Sequence, residues 1–118
     1  MIHIAKHVSN NSTHKQHRLG AVIVKGGRIL ATGYNQLRPS KLIGTNTLHA
    51  EAHAVLHLLK SRRQADLIGA DIYVNRYTRG GRIGLARPCS HCMELLRTVG
   101  IRRVFYTTDE GTTVMEKI

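Results

Sequence analysis

The chain has 118 residues, a length that argues for one domain spanning 1–118, and 42% apolar residues are enough for a globular core. No run approaches the ~20 apolar residues needed to cross a bilayer, and Met1 to Gln16 lacks the apolar stretch of a secretory signal, so the expected compartment is the cytoplasm and no membrane partner is expected. Lys and Arg number 18 against 7 Asp and Glu, for a formal net charge of +11, which favours anionic partners, while four Tyr, one Phe and no Trp argue against a base-stacking platform.

Residues 2–8 read as a short helix, stopped by the polar run Ser9 to Thr13. Leu19 to Lys25 is a β-branched run, and Gly26-Gly27 is a two-residue hairpin signal that returns the chain along Arg28 to Tyr34. Asn35 to Leu48 contains Pro39, Gly44 and several polar residues, so it is a loop of the length that often carries function. His49 to Gln64 has helical composition, with Val55, Leu58 and Leu59 on one face and a cationic final turn. Asp71 to Arg76 is a third strand, and Thr78 to Arg87 a loop rich in Gly and Arg. Pro88 opens a helix that runs to Val99, with Gly100 placed to stop it. Arg102 to Thr108 and Thr112 to Ile118 are the last two strands. Only Asp109-Glu110-Gly111 separates them, too few residues for a parallel crossover, so they form an antiparallel hairpin. The expected fold is α/β: a three-layer α/β/α sandwich on one mixed five-stranded sheet.

The two cysteines, Cys89 and Cys92, are too few for a disulfide scaffold and stand three apart at a helix start. Both sulfurs can then reach one metal, and the positive end of the helix favours thiolates. Two thiolates and an imidazole suit zinc, and three protein ligands leave a position for water, the mark of a catalytic site. His49, which opens a helix after a loop, is the best third ligand. Glu51 is two residues further on and would point away from His49 on a regular helix, but the two could converge at the first turn. A carboxylate there could move protons to and from the bound water.

Other readings of the same residues are weaker. A redox C-x-x-C pair would leave His49 and Glu51 unexplained, and a zinc ribbon needs a second cysteine pair. In His49-Ala-Glu-Ala-His53 the glutamate is one place late for a metalloprotease helix. His53 and His57 continue an i, i+4 ladder and read better as helix or interface residues than as further ligands, and His91 reads as turned away from the metal. Arg76, Arg79, Arg82 and Arg87 crowd the loop before Pro88. They are either a solvated basic surface or a contact for phosphate, which the forked guanidinium suits.

H-x-E followed by P-C-x-x-C is the signature of zinc nucleobase deaminases. With Arg18 to Lys25, Gly27 to Leu30 and Gly33-Tyr-Asn35 as a first hairpin, nearly the whole chain resembles the cytidine deaminase-like superfamily. The resemblance implies zinc held by His49, Cys89 and Cys92, with Glu51 as the catalytic proton shuttle. It implies substrate contacts from Asn35, Ala50, Arg87 and Pro88, and hydrolysis at C4 of cytosine or C6 of adenine with loss of ammonia. The long basic lead into Pro88 departs from the shorter lead of many members, and a free deoxycytidylate deaminase in this family is usually longer. The antiparallel last hairpin resembles the free cytidine deaminase branch. The expected substrate is therefore a cytosine ring in a free nucleoside or nucleotide. The alternatives are a base within single-stranded DNA or RNA, or a basic nucleic-acid-binding module that has lost catalysis, against which an intact Glu51 argues. A homo-oligomer is also expected.

Overall fold

The computed structural model describes residues 1–14, 16–40, 44 and 47–118, so part of the long loop after Asn35 lies outside the described residues. Helix α1 covers Ile2–Ser9, β1 His17–Lys25, β2 Arg28–Tyr34 and α2 Ala50–Lys60. Strand β3 covers Asp71–Thr78, β4 Ile83–Gly84, α3 Ser90–Val99, β5 Arg103–Thr107 and β6 Thr113–Lys117.

The strands form one mixed sheet in the order β2-β1-β3-β5-β6, with β4 paired to the far end of β3. Among the described strands only the β3–β5 pair is parallel, and it is the pair joined by the crossover containing α3. The last two strands are antiparallel, with Phe105 opposite Met115, as the short connection between them requires. The expected five strands are all present. The sixth, β4, is two residues within the Gly- and Arg-rich segment, too short to leave any periodicity in the sequence. Strands β1 and β3 each extend two residues beyond their sequence limits, because His17 pairs with Thr78 across the sheet.

The turn at Gly26-Gly27 has positive φ at both residues (57° and 78°), as a two-residue hairpin demands. Helix α2 ends at Lys60, four residues before the expected Gln64. Arg62 takes a left-handed conformation (φ 56°), and the Arg63 N–H donates to the Leu58 carbonyl at 2.8 Å. The stop is thus a local left-handed cap made without Gly, so no Gly or Pro marks it in the sequence. A 3-10 turn at Gln64–Leu67 follows and buries Leu67.

Helices cover both faces of the sheet, and two glycines show how. An added Cβ on Gly20 would lie 2.4 Å from the Ala5 carbonyl and the Ser9 amide, so α1 sits flush on that face. Gly33 is paired with Ala21, the next residue along β1, and therefore faces the opposite side. Its added Cβ would lie 2.4 Å from the Ala50 carbonyl and the Ala54 amide, so α2 sits equally close there. The main core lies between the sheet and α2 and α3, where Ile23, Ile72, Val74 and Val104 meet Val55, Leu58 and Leu96. On the other face α1 is pinned by a buried polar pair: Asn75 donates to Ser9 Oγ at 3.0 Å, and Ser9 donates to the Ala5 carbonyl at 2.9 Å.

Gly33→Ala is expected to destabilise the protein by ~1–3 kcal/mol, because α2 must lift from β2 to admit the methyl group. Zinc affinity should fall with it, since the displaced turn adjoins the site described next. Denaturation midpoints and zinc stoichiometry check this, and an unchanged midpoint would refute the close approach.

Candidate metal centre and active site

The N-termini of α2 and α3 point at one place. His49 is the N-cap of α2 and Cys89 the N-cap of α3, both with extended backbone (ψ 153° and 170°). Helix α3 thus begins at Ser90, not at Pro88, and only Cys92 lies within its first turn. His49 likewise stands just outside its helix. That removes the geometric objection to His49 and Glu51 acting together, because the pair is not bound by helical spacing.

The His49 ring nitrogen Nδ1 lies 3.3 Å from Cys92 Sγ and 3.6 Å from Cys89 Sγ. One ligand atom from each of the three residues falls within 4.8 Å of the others, close enough to share a single ion. The chemistry of the set also calls for a cation. Burial, the Glu51 carboxyl and the neighbouring Cys89 all push the Cys92 thiol well above its ordinary value. Two thiolates and a carboxylate would repel one another here, and a dication reverses that balance. A backbone bond from Ala52 in the first turn of α2 and the two helix dipoles act in the same direction. Cys92 is buried with Leu48 and Ala52, so α2 and α3 are packed together at the metal as well as in the core.

Glu51 is 3% exposed and its Oε1 makes no hydrogen bond. Burial raises its carboxyl to about 7, where it can exchange a proton at neutral pH. It lines a cleft of ≈ 300 Å³ together with His49, Ala50 and Cys89. The far walls are His14, His17, Leu19, Asn35, Thr47, Arg76, Leu85 and Arg87.

Of the expected substrate residues, Asn35, Ala50 and Arg87 line this cleft, whereas Pro88 is buried and does not. The Asn35 amide is largely occupied within the chain. Its Nδ2 donates to the His17 carbonyl at 2.7 Å, and its Oδ1 accepts from the Leu19 N–H at 2.8 Å and also contacts the Ser12 hydroxyl. One N–H of the amide remains for a ligand. Arg87 is paired with Glu116 through two bonds of 2.7 and 3.2 Å. Arg79 and Arg82 of the basic loop are exposed and do not line the cleft, while Arg76 does. His14 and His17 belong to the cleft although nothing in their sequence context marks them. They reach it because Asn35 ties the start of β1 to the end of β2.

Among the described residues, no other histidine joins the group positioned for a metal. His91 is exposed. His53 packs between α2 and β2, accepting the Tyr34 N–H at Nδ1 (3.1 Å), with its ring 4.3 Å from that of His57. His57 bonds the Thr32 carbonyl at 2.8 Å.

Residues 1–108 match the family described as the cytidine and deoxycytidylate deaminase zinc-binding region. The chain belongs to this family. A deoxycytidylate deaminase of Mycobacterium phage D29 is 31% identical, in an alignment covering 87% of this chain and 88% of that one. That near-equal coverage answers the expectation that such an enzyme should be longer. Among solved structures, a dCMP deaminase from the cyanophage S-TIM5 is 26% identical, with a TM-score of 0.68 over 91% of this chain and 79% of the other. A cytidine deaminase from Burkholderia pseudomallei is 22% identical and superposes with a TM-score of 0.74 over 98% of this chain and 88% of that one, a likeness of fold. The protein is a hydrolytic deaminase with a zinc cofactor, and His49, Cys89 and Cys92 form the group positioned to hold it. Among the described residues no helix is long and apolar enough to cross a membrane.

Two predictions concern this centre. Cys89→Ser should lower zinc stoichiometry and thermal stability together, whereas Glu51→Ala should keep both, because the carboxylate is not a ligand. Metal analysis of the purified variants decides, and loss of zinc from the glutamate variant would sink the assignment. The second concerns His53, which burial and the nearby His57, Arg38 and Lys60 depress to about 4. The unfolded chain then takes up this proton before the folded one does. The contribution is whole above an unfolded value of ~6.5 and is lost as pH falls towards 4. The urea midpoint of the zinc-loaded protein should drop between pH 7 and 5, and His53→Gln should flatten that slope. Equal slopes would refute it.

Proposed function

We propose that residues 1–118 act as one deaminase domain that hydrolyses the cytosine ring of a free nucleotide, with dCMP the leading candidate. The observation that carries the reading is Glu51: a buried carboxyl with a free oxygen, titrating near neutrality, in the cleft that His49 and Cys89 of the metal group also line. The choice of a free nucleotide is supported by the phage deoxycytidylate deaminase that aligns with this chain almost end to end. The basic cleft wall supports it as well.

Zinc, when bound, lowers the pKa of a coordinated water towards ~7. Glu51 takes the proton released as water adds at C4 and passes it to ring N3. It then takes the proton of the new C4 hydroxyl and delivers it to the amine, which leaves as ammonia as the C4–N bond breaks and the C4 carbonyl forms. The net change is addition of water and loss of ammonia. Burial makes Glu51 suitable for both directions, since an ordinary exposed carboxylate would be too weak a base to capture the proton and hold it. Ala50, fully buried at the start of α2, offers backbone rather than side-chain contact. The remaining N–H of Asn35 donates to an oxygen of the sugar. The Arg87–Glu116 pair closes the cleft beside Cys89. Self-association belongs to the same proposal, and β6, at the edge of the sheet order with Val114 and Met115 exposed on its two faces, offers it a surface.

Ammonia release from the zinc-loaded protein tests this reading. Cytidine, deoxycytidine, CMP, dCMP, adenosine and a short single-stranded oligonucleotide are assayed side by side. Turnover should be greatest with dCMP. Glu51→Gln should lower kcat by roughly 10²–10⁴-fold while retaining zinc. Turnover of the oligonucleotide or adenosine alone, or full activity in the Glu51 variant, would overturn it.

A further inference from the structure

Two arginines line the cleft, and they are not equivalent. Arg87 already has a counterion, since both of its hydrogen bonds run to the Glu116 carboxylate. Arg76 has none. Its Nη1 donates to the Leu85 carbonyl at 3.3 Å and its Nη2 to His17 Nδ1 at 2.7 Å, while its buried Nε makes no hydrogen bond. Among the described residues no carboxylate lies within ion-pair distance of it. A partly buried guanidinium without an anion is costly, and the cost is relieved when a ligand supplies the charge.

The two histidines beside it are set as donors. His17 accepts from Arg76 at Nδ1, so its own proton sits on Nε2. Burial, the Arg76 charge and the neighbouring His14 lower the pKa of that ring. His14 accepts at Nδ1 from the backbone N–H groups of Gln16 and His17, at 3.2 and 3.1 Å, which leaves its proton on Nε2 as well. The ring centroids are 5.4 Å apart. This part of the cleft wall therefore carries the Arg76 guanidinium and two imidazoles with Nε2–H donors. The second lining cation, Arg87, is matched by Glu116, and the acidic lining residue, Glu51, stands in the first turn of α2 beside the metal group. Such a set matches a doubly charged oxyanion better than a neutral hydroxyl or a base edge.

We infer that Arg76, supported by His14 and His17, is the subsite for the terminal phosphate of the nucleotide substrate, and that it sets the preference for nucleotide over nucleoside. This rests on the reading of the protein as a free-nucleotide cytosine deaminase. It selects Arg76 from the four arginines that crowd this stretch of sequence. Arg87 is a wall residue held by Glu116.

The test compares kcat/KM for dCMP with that for deoxycytidine in zinc-loaded wild type and in Arg76→Gln. The ratio should fall roughly ten- to hundredfold in the variant, the size expected for loss of a charge-assisted contact. Arg76→Lys keeps the charge but loses the fork and should fall between the two. An unchanged ratio in Arg76→Gln overturns the inference. So does a deoxycytidine trinucleotide that is turned over as well as dCMP and depends equally on Arg76, since that would assign the arginine to a phosphodiester. If Arg76→Gln does not fold, Arg76→Lys and His17→Gln are judged by the same ratio.

A second measurement does not depend on turnover. Inorganic phosphate added to zinc-loaded, nitrogen-15-labelled protein should move the ring signals of His14 and His17. Saturation in Arg76→Gln should need at least ten times more phosphate. If no cytosine compound is turned over while this titration succeeds, the function fails and the subsite stands. If turnover is found but these rings do not respond, the subsite fails and the function stands.

Discussion

Everything at the metal centre depends on how closely α2 can lie against β2. The missing side chain at Gly33 lets the Ala50 carbonyl and the Ala54 amide approach a strand that carries no Cβ there. That contact fixes the depth of the first turn of α2. His49 stands at the cap of this turn, Glu51 inside it, and Ala52 against Cys92. A helix displaced outward by a methyl group would separate His49 from the two sulfurs and open Glu51 to water. The paired glycine on the opposite face, Gly20, seats α1 in the same manner, so the sheet is clamped between two helices at neighbouring points of the β1–β2 hairpin.

The electrostatics of the site follow from that depth. Glu51 and Cys92 are both buried in a region where neither ionises readily, and the Glu51 carboxyl adds to the cost of charging Cys92. The structure accepts this strain because a dication is the group for which the site is built. Two helix N-termini, a backbone N–H and an imidazole are aimed at the same point. The same burial that makes these charges unfavourable raises the Glu51 carboxyl to about 7, the value that suits a group exchanging protons at neutral pH. Stability has been exchanged locally for a pKa, and the packing of Val55, Leu58 and Leu96 beneath the site carries the load.

The other half of the cleft is made by a different device. Asn35, at the end of β2, spends most of its amide on the backbone of His17 and Leu19. It thereby ties the start of β1 to the end of β2, where His14 and His17 form a wall of the cleft. Arg76 completes it from β3, a strand on the other side of β1.

Much of this was legible in the sequence. The β-branched run from Leu19 to Lys25 and the Gly26-Gly27 turn located the first hairpin, and the short connection after Thr108 required an antiparallel last pair. The spacing of His49, Glu51, Cys89 and Cys92 carried the metal chemistry, because ligand type and helix-start position are properties of a few adjacent residues. What the sequence could not determine is where side chains from distant segments meet. Nothing local shows that α2 stops at Lys60, that Ile83 and Gly84 pair with β3, or that Arg87 is matched by Glu116 while Arg76 is left without a counterion. Burial, and the pKa values and counterion pairing it governs, arise only when strands far apart in the chain are brought into register, so tertiary structure alone decided which carboxyl could hold a proton and which arginine could receive an anion.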